Sequence, residues 1–177
     1  MHRVRPISLV LLVCTTVLLA SIAAKVSTNA PREIFEVRAT KEQTMEMPLI
    51  DGLIVLPTQH TVAEIVTRTV ATAQARGITV FATIDFSGDA ARSKLTLKPT
   101  GLVILGNPAA GTPVMAASPT AAIDLPLKIL AFEDAESHVW VAYNDPRYIQ
   151  RRHGFPEPLA KNLAAIGGLA QAVAGPD

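Results

Sequence analysis

Between Lys98 and Lys128 the chain is crowded with proline, glycine and small residues: Lys-Pro-Thr-Gly, an apolar Leu102–Leu105 run, Gly106-Asn107-Pro108, Gly111-Thr112-Pro113 and Asp124-Leu125-Pro126. These residue types set backbone geometry and carry no reactive group of their own. Grouped around an apolar strand, they point to a shaped surface or the wall of a pocket. No nucleophile–base pair or complete ligand set accompanies them, so this stretch speaks for architecture before chemistry.

The rest of the composition narrows the field. The chain has 177 residues and a formal net charge of +1, with no basic run interleaved with aromatics. That argues against a nucleic-acid partner. Aromatics are few, so the core must come from Val, Ile, Leu and Ala. The single cysteine, Cys14, permits neither an internal disulfide nor a cysteine-based zinc site.

Cys14 falls inside a distinctive N-terminal segment. Arg3 and Arg5 precede a largely apolar run from Ile7 to Ala24, which closes on Ser21-Ile22-Ala23-Ala24. This is the order of a secretory signal peptide over residues 1–24, cut after Ala23 or Ala24. It places the mature chain in the periplasm or another extracytoplasmic space. The alternative is an uncleaved membrane anchor over residues 7–24. Lipidation at Cys14 ranks last, because Leu11-Leu12-Val13 lacks the small residue expected before a lipidated cysteine. Residues 25–48 show no clean periodicity and read as a linker or N-terminal extension, which leaves 49–177 as the folded domain.

Within that domain Gly52–Leu56 reads as a strand ended by Pro57. Thr61 and Glu64 have capping-box spacing, and Val62, Ile65, Val66, Val70 and Ala73 follow at helical spacing up to Gly77. Glu64 and Arg68 share its outer face. Thr79–Phe86 alternates as a second strand, Ser87–Lys98 allows a short helical turn, and Leu102–Leu105 forms a buried third strand. Pro126–Glu133 and His138–Tyr143 read as a hairpin pair. Asp145-Pro146 starts a short helix that runs to His153 and stops at Gly154. Leu159, Leu163, Ile166, Leu169 and Val173 predict a final helix, in which Gly167 and Gly168 suggest close packing on a neighbour. The sum is an α+β fold in strand–helix–four-strand–helix order, with a mainly antiparallel sheet and helices on one face.

Several ordered segments resemble the signature of the DUF302 family. They are Leu97-Lys98-Pro99-Thr100, Leu105-Gly106-Asn107-Pro108, Gly111-Thr112-Pro113-Val114-Met115, Asp124-Leu125-Pro126-Leu127-Lys128, Tyr143-Asn144-Asp145-Pro146 and Arg152-His153-Gly154. The resemblance runs from about Leu53 to Val173. It implies a compact TBP-like α+β domain that forms a homodimer, with no established biochemical function. One departure stands out: the family commonly has His after the Asp that ends the second strand, where this chain has Asp85-Phe86. Leu105 and Phe132 also occupy positions where the resemblance leads one to expect Phe and Trp respectively.

The candidate ligand-binding residues are Asn107, Thr112, Asp124, Tyr143 and His153. The Gly106–Pro113 segment reads as a rigid double turn, or as a loop whose free N–H groups take an anion or carbonyl. It is not a P-loop: the Gly-Lys-Ser/Thr ending is missing, and no helix is expected after it. Asp124 suits a turn carboxylate bonded to backbone N–H groups or paired with Lys128, or else a pocket acid. Arg151, Arg152 and His153 suit the C-terminus of the short helix, or an anion-binding cluster. Asn144 and Asp145 are accounted for by turn and cap chemistry, while Met115 would line a pocket. No spacing among His60, His138 and His153 suggests a metal site, and no cofactor is implied. The leading expectation is an exported, non-enzymatic domain that binds a small ligand or protein partner as a homodimer. The alternatives are an enzyme with Asp124 and His153 as acid–base groups, and a purely structural dimerisation module.

Overall fold

The computed structural model describes residues 49–176. The signal-peptide, anchor and linker readings, and Cys14 with them, lie outside the described residues. In chain order the elements are β1 (Leu53–Thr58), α1 (Val62–Ala75), β2 (Thr79–Asp85), α2 (Phe86–Arg92), β3 (Thr100–Gly106) and α3 (Pro108–Ala117). A 3-10 turn (Pro119–Ile123), β4 (Leu127–Glu133), β5 (Val139–Asn144), α4 (Pro146–His153), a second 3-10 segment (Glu157–Leu163) and α5 (Ala165–Ala174) complete it. The strands form one antiparallel sheet in the order β1-β5-β4-β3-β2.

Pro57 does not end β1, which continues to Thr58 with Pro57 opposite Trp140. As an edge strand, β1 tolerates a residue without an N–H because it has only one ladder to disrupt. Helix α1 begins as its spacing predicts. The Thr61 side chain accepts from the Glu64 N–H, and Glu64 Oε2 accepts from the Thr61 N–H at 2.7 Å. Arg68 reaches across to α5, donating to the carbonyls of Val173 at 3.1 Å and Gly175 at 3.3 Å. It thereby satisfies acceptors that a helix C-terminus leaves open.

Helices α1 and α5 cover one face of the sheet. Ile65, Val103, Leu105, Ile129, Val141, Leu169 and Val173 are buried between them, each such side chain contributing roughly 1.5–3 kcal/mol over an exposed one. A second, smaller cluster of Val114, Ala121, Ile149, Phe155 and Leu163 joins α3, α4 and the two 3-10 segments. It sits at the end of the sheet where β3 and β5 finish and β4 begins.

Three further local expectations change. Phe86 is not the last residue of β2 but the first of α2, because the Asp85 carboxylate caps that helix by accepting from the Gly88 N–H at 2.8 Å. The final helix is split: Leu159 and Leu163 lie in a 3-10 segment, and the α-helix starts only at Ala165. The third change is the largest. The Gly106–Pro113 segment is no double turn; it leads straight into α3, with Asn107 as N-cap and Pro108 in the first turn.

Candidate functional site

The two apolar clusters are bridged by Leu127, which packs against both. Beside that bridge lies a cavity of about 550 Å³, walled by Leu105, Ile166 and Leu169 of the larger cluster, by Leu125 and Leu163 of the smaller one, and by Leu127 itself. Phe81, Met115, Pro126 and the small residues Gly106, Ala110 and Gly111 complete most of the wall. The space opens to solvent beside Phe81, and its size falls within the range of small-molecule sites, about 300–1,000 Å³.

Each wall has a local cause. Between Val80 and Ala82 the β2–β3 register slips, leaving Phe81 as the unpaired residue of a bulge. Bulges re-aim side chains, and Phe81 is 52% exposed beside the cavity. Leu125 and Pro126, joined by a cis peptide bond, both line it. Asn107 and Thr112 line it as well. Asn107 Oδ1 accepts from the Ala109 N–H at 2.9 Å, and the Asn107 carbonyl takes the N–H groups of Ala110 and Gly111. The N–H groups expected to be free for an anion are therefore engaged inside the helix cap.

Asp124 and His153 come together elsewhere. His153 Nε2 lies 2.7 Å from Asp124 Oδ2; a carboxylate only accepts, so the ring donates. Arg152 adds contacts of 3.2 and 3.3 Å to the same carboxylate. The other ring nitrogen, Nδ1, is 3.0 Å from the Thr120 hydroxyl, and Ser118 Oγ donates to the His153 carbonyl at 2.8 Å. The His153 side chain is only 5% exposed, and neither it nor Asp124 lines a described cavity.

This arrangement corrects two expectations. The partners of the Asp124 carboxylate are Arg152 and His153, while Lys128 Nζ donates to the Asp124 backbone carbonyl at 3.1 Å. Burial holds the Lys128 ammonium below its ordinary pKa, partly offset by the Asp124 charge. Arg152 and His153 likewise turn to an internal carboxylate and do not form an open anion cluster.

Tyr143 stands in a third place, a cavity of about 670 Å³ whose lining includes the charged or polar Asp145, Arg147, Gln150, Arg151, Glu157 and Lys161. Burial and then the nearby Asp145 charge raise its phenol above the usual range, so it stays a neutral hydroxyl. The five candidate residues thus occupy three sites: Asn107 and Thr112 share one, Asp124 and His153 another, and Tyr143 a third. The apolar residues Phe81, Leu125, Leu163 and Ile166 were missed as lining because nothing in their spacing separates a cavity wall from a core. Phe86, where the resemblance leads one to expect His, sits at the opposite end of β2 from the cavity. Among the described residues no cluster of His, Cys, Asp or Glu could hold a metal, and no helix is long and apolar enough to cross a membrane.

Comparison with known proteins bears on this geometry. The model of the family described as "Domain of unknown function DUF302" matches residues 54–173. The chain is 40% identical over 102 residues to a protein named fluoride-specific ion channel FluC 1 from Brucella suis biovar 1, covering 58% of this chain and 40% of that one. A protein of the same name from Brucella abortus biovar 1 is matched at 40% identity over 102 residues, covering 58% of this chain and 38% of that protein. The chain thus spans about two fifths of the length of the curated relatives it matches. Among solved structures, the crystal structure of an uncharacterized conserved protein DUF302 from Bacillus stearothermophilus has a TM-score of 0.59 at 13% identity. That likeness covers 71% of this chain and 97% of that one, and it establishes the fold.

Proposed function

This chain belongs to the DUF302 family, and on that premise we propose that it is a non-enzymatic domain whose apolar cavity binds a small molecule. The observation that carries the reading is the cavity of about 550 Å³ at the seam of two otherwise well-packed clusters. The test is titration with a neutral naphthalene-type fluorophore that brightens in apolar surroundings. A Cβ on Gly111 would lie 3.8 Å from Leu125 Cδ1 and 4.0 Å from Met115 Cε, both in the wall. Gly111→Leu therefore projects an apolar side chain into the space and obstructs it. Saturable binding to the wild type that Gly111→Leu abolishes, with the circular dichroism spectrum retained, supports the reading. No saturable binding to the wild type refutes it.

The proposal includes export and a homodimer. Residues 1–24 carry the basic, apolar and small-residue order of a cleaved signal, which N-terminal sequencing of envelope-derived protein would test. On the sheet face opposite α1 and α5, register places Val55, Leu102, Leu130 and Phe132 together, outside both buried clusters. We assign a second copy to that face. Sedimentation should give a dimer that Leu130→Glu converts to monomer.

A partner follows from the relatives' names. About three fifths of the Brucella proteins named as fluoride-specific channels lies outside the match, and we propose a channel of that kind as protein partner. Co-purification from membranes would test it.

The 2.7 Å contact between Asp124 and His153 favours a second reading, acid–base catalysis with the Thr120 hydroxyl on the other ring nitrogen. On that reading Asp124→Asn abolishes a turnover while sparing the fold. On the binding reading it weakens the fold, and there is no turnover to lose.

A further inference from the structure

We infer that the ligand of the apolar cavity is an amphipathic monoanion, an apolar body ending in one carboxylate, with that carboxylate at Arg76. The inference rests on the cavity being a binding site and adds the class of molecule it selects. Among the described lining residues Arg76 is the sole ionisable side chain. No hydrogen bond or ion pair engages its guanidinium among the described residues.

The neutral polar groups beside Arg76 add donors. Asn107 Oδ1 is engaged by the Ala109 N–H, which leaves the Asn107 amide N–H groups as donors. Thr112 contributes a hydroxyl that can donate or accept. Asn162 Nδ2 is engaged on the Ala110 carbonyl, so its Oδ1 is an acceptor in the same lining. The lining therefore carries one fixed positive charge, and no carboxylate faces the space. A ligand that supplies acceptors and one negative charge matches it.

Topology places the two strongest donors together. Thr79 and Gly106 are register partners at one end of the β2–β3 ladder. Arg76 precedes the first and Asn107 follows the second, so both stand at the same end of the sheet, with the apolar walls below. One guanidinium balances one carboxylate, often bidentately, whereas a phosphate dianion would leave charge unmatched.

The experiment is displacement of the neutral fluorophore by octanoate, decanoate and 1-decanol, from wild type and from Arg76→Met. Decanoate should bind about fifteenfold tighter than octanoate, at about fourfold per buried methylene. It should also bind about tenfold tighter than 1-decanol, a preference that Arg76→Met reduces to near unity. Arg76 is an exposed residue at the end of α1, and the melting temperature of the variant verifies its folding. If the fluorophore binds but the alcohol competes as well as the acid, or Arg76→Met leaves the preference intact, the anion assignment is overturned and the cavity reading stands. If the fluorophore itself does not bind, the cavity reading has failed and this inference goes with it.

Discussion

His153 Nε2 and Asp124 Oδ2 meet at 2.7 Å and so fasten the last turn of α4 to the segment leading into β4. The pair is almost wholly covered, at 5% and 10% side-chain exposure. Removing one member leaves the other buried with fewer partners, a loss that typically exceeds that of an exposed pair. His153→Ala should therefore cost about 2–3 kcal/mol of stability. Asp124→Asn keeps one acceptor and should cost less. Urea midpoints at unchanged slope would read both values.

Asp134 offers a test in acid. Burial pushes its carboxyl upward, but the Trp140 indole N–H, the His138 backbone N–H, the His138 charge and the Glu136 N–H together bring it below the usual range. A carboxyl lowered on folding stabilises the fold above its unfolded pKa of about 3.9 and loses that contribution as pH falls through the folded value. Trp140, the sole tryptophan of the chain, donates to Asp134 Oδ2 at 2.7 Å and reports on the change. Its emission should stay constant down to about pH 4 and shift below it. Asp134→Asn should show the acid-form spectrum already at pH 7.

Two adjacent glycines in α5 should behave differently. A Cβ at Gly167 would lie 3.1 Å from Tyr143 Oη, whereas one at Gly168 meets nothing within 4 Å. Gly168→Ala should gain about 0.5–1 kcal/mol from helix propensity alone. Gly167→Ala must displace the phenol and should gain less, or lose. Thermal midpoints of the two variants would rank them.

These contrasts show how far the sequence carried. Asp145-Pro146 and Gly154 bound α4 as read, because an Asx cap, a first-turn proline and a left-handed glycine at φ 67° are each local. The same logic applied to Asn107-Pro108, which has the identical cap-and-proline form and starts α3. It was obscured by Gly111, Thr112 and Pro113, poor helix formers that tertiary packing of Val114 overrides. Close packing is expected of both Gly167 and Gly168 but holds only at Gly167, a distinction that depends on where Tyr143 points. The Asp124–His153 contact and the cavity were beyond reach for another reason. Both depend on segments far apart in the chain, and nothing local encodes where the packing between two apolar clusters leaves a space.

Helix α3 has a consequence for how evenly the cavity is held. Its ten residues include Gly111 and an interior Pro113, which has no N–H to return to the fourth carbonyl before it. One wall thus lacks a helical hydrogen bond, while β3, which supplies Leu105 and Gly106 to the lining, is held by ladders on both edges. Opening free energies differ in the same order. The amides of α3 should exchange with deuterium well before those of β3, so a guest would rest against one wall that yields and one that does not.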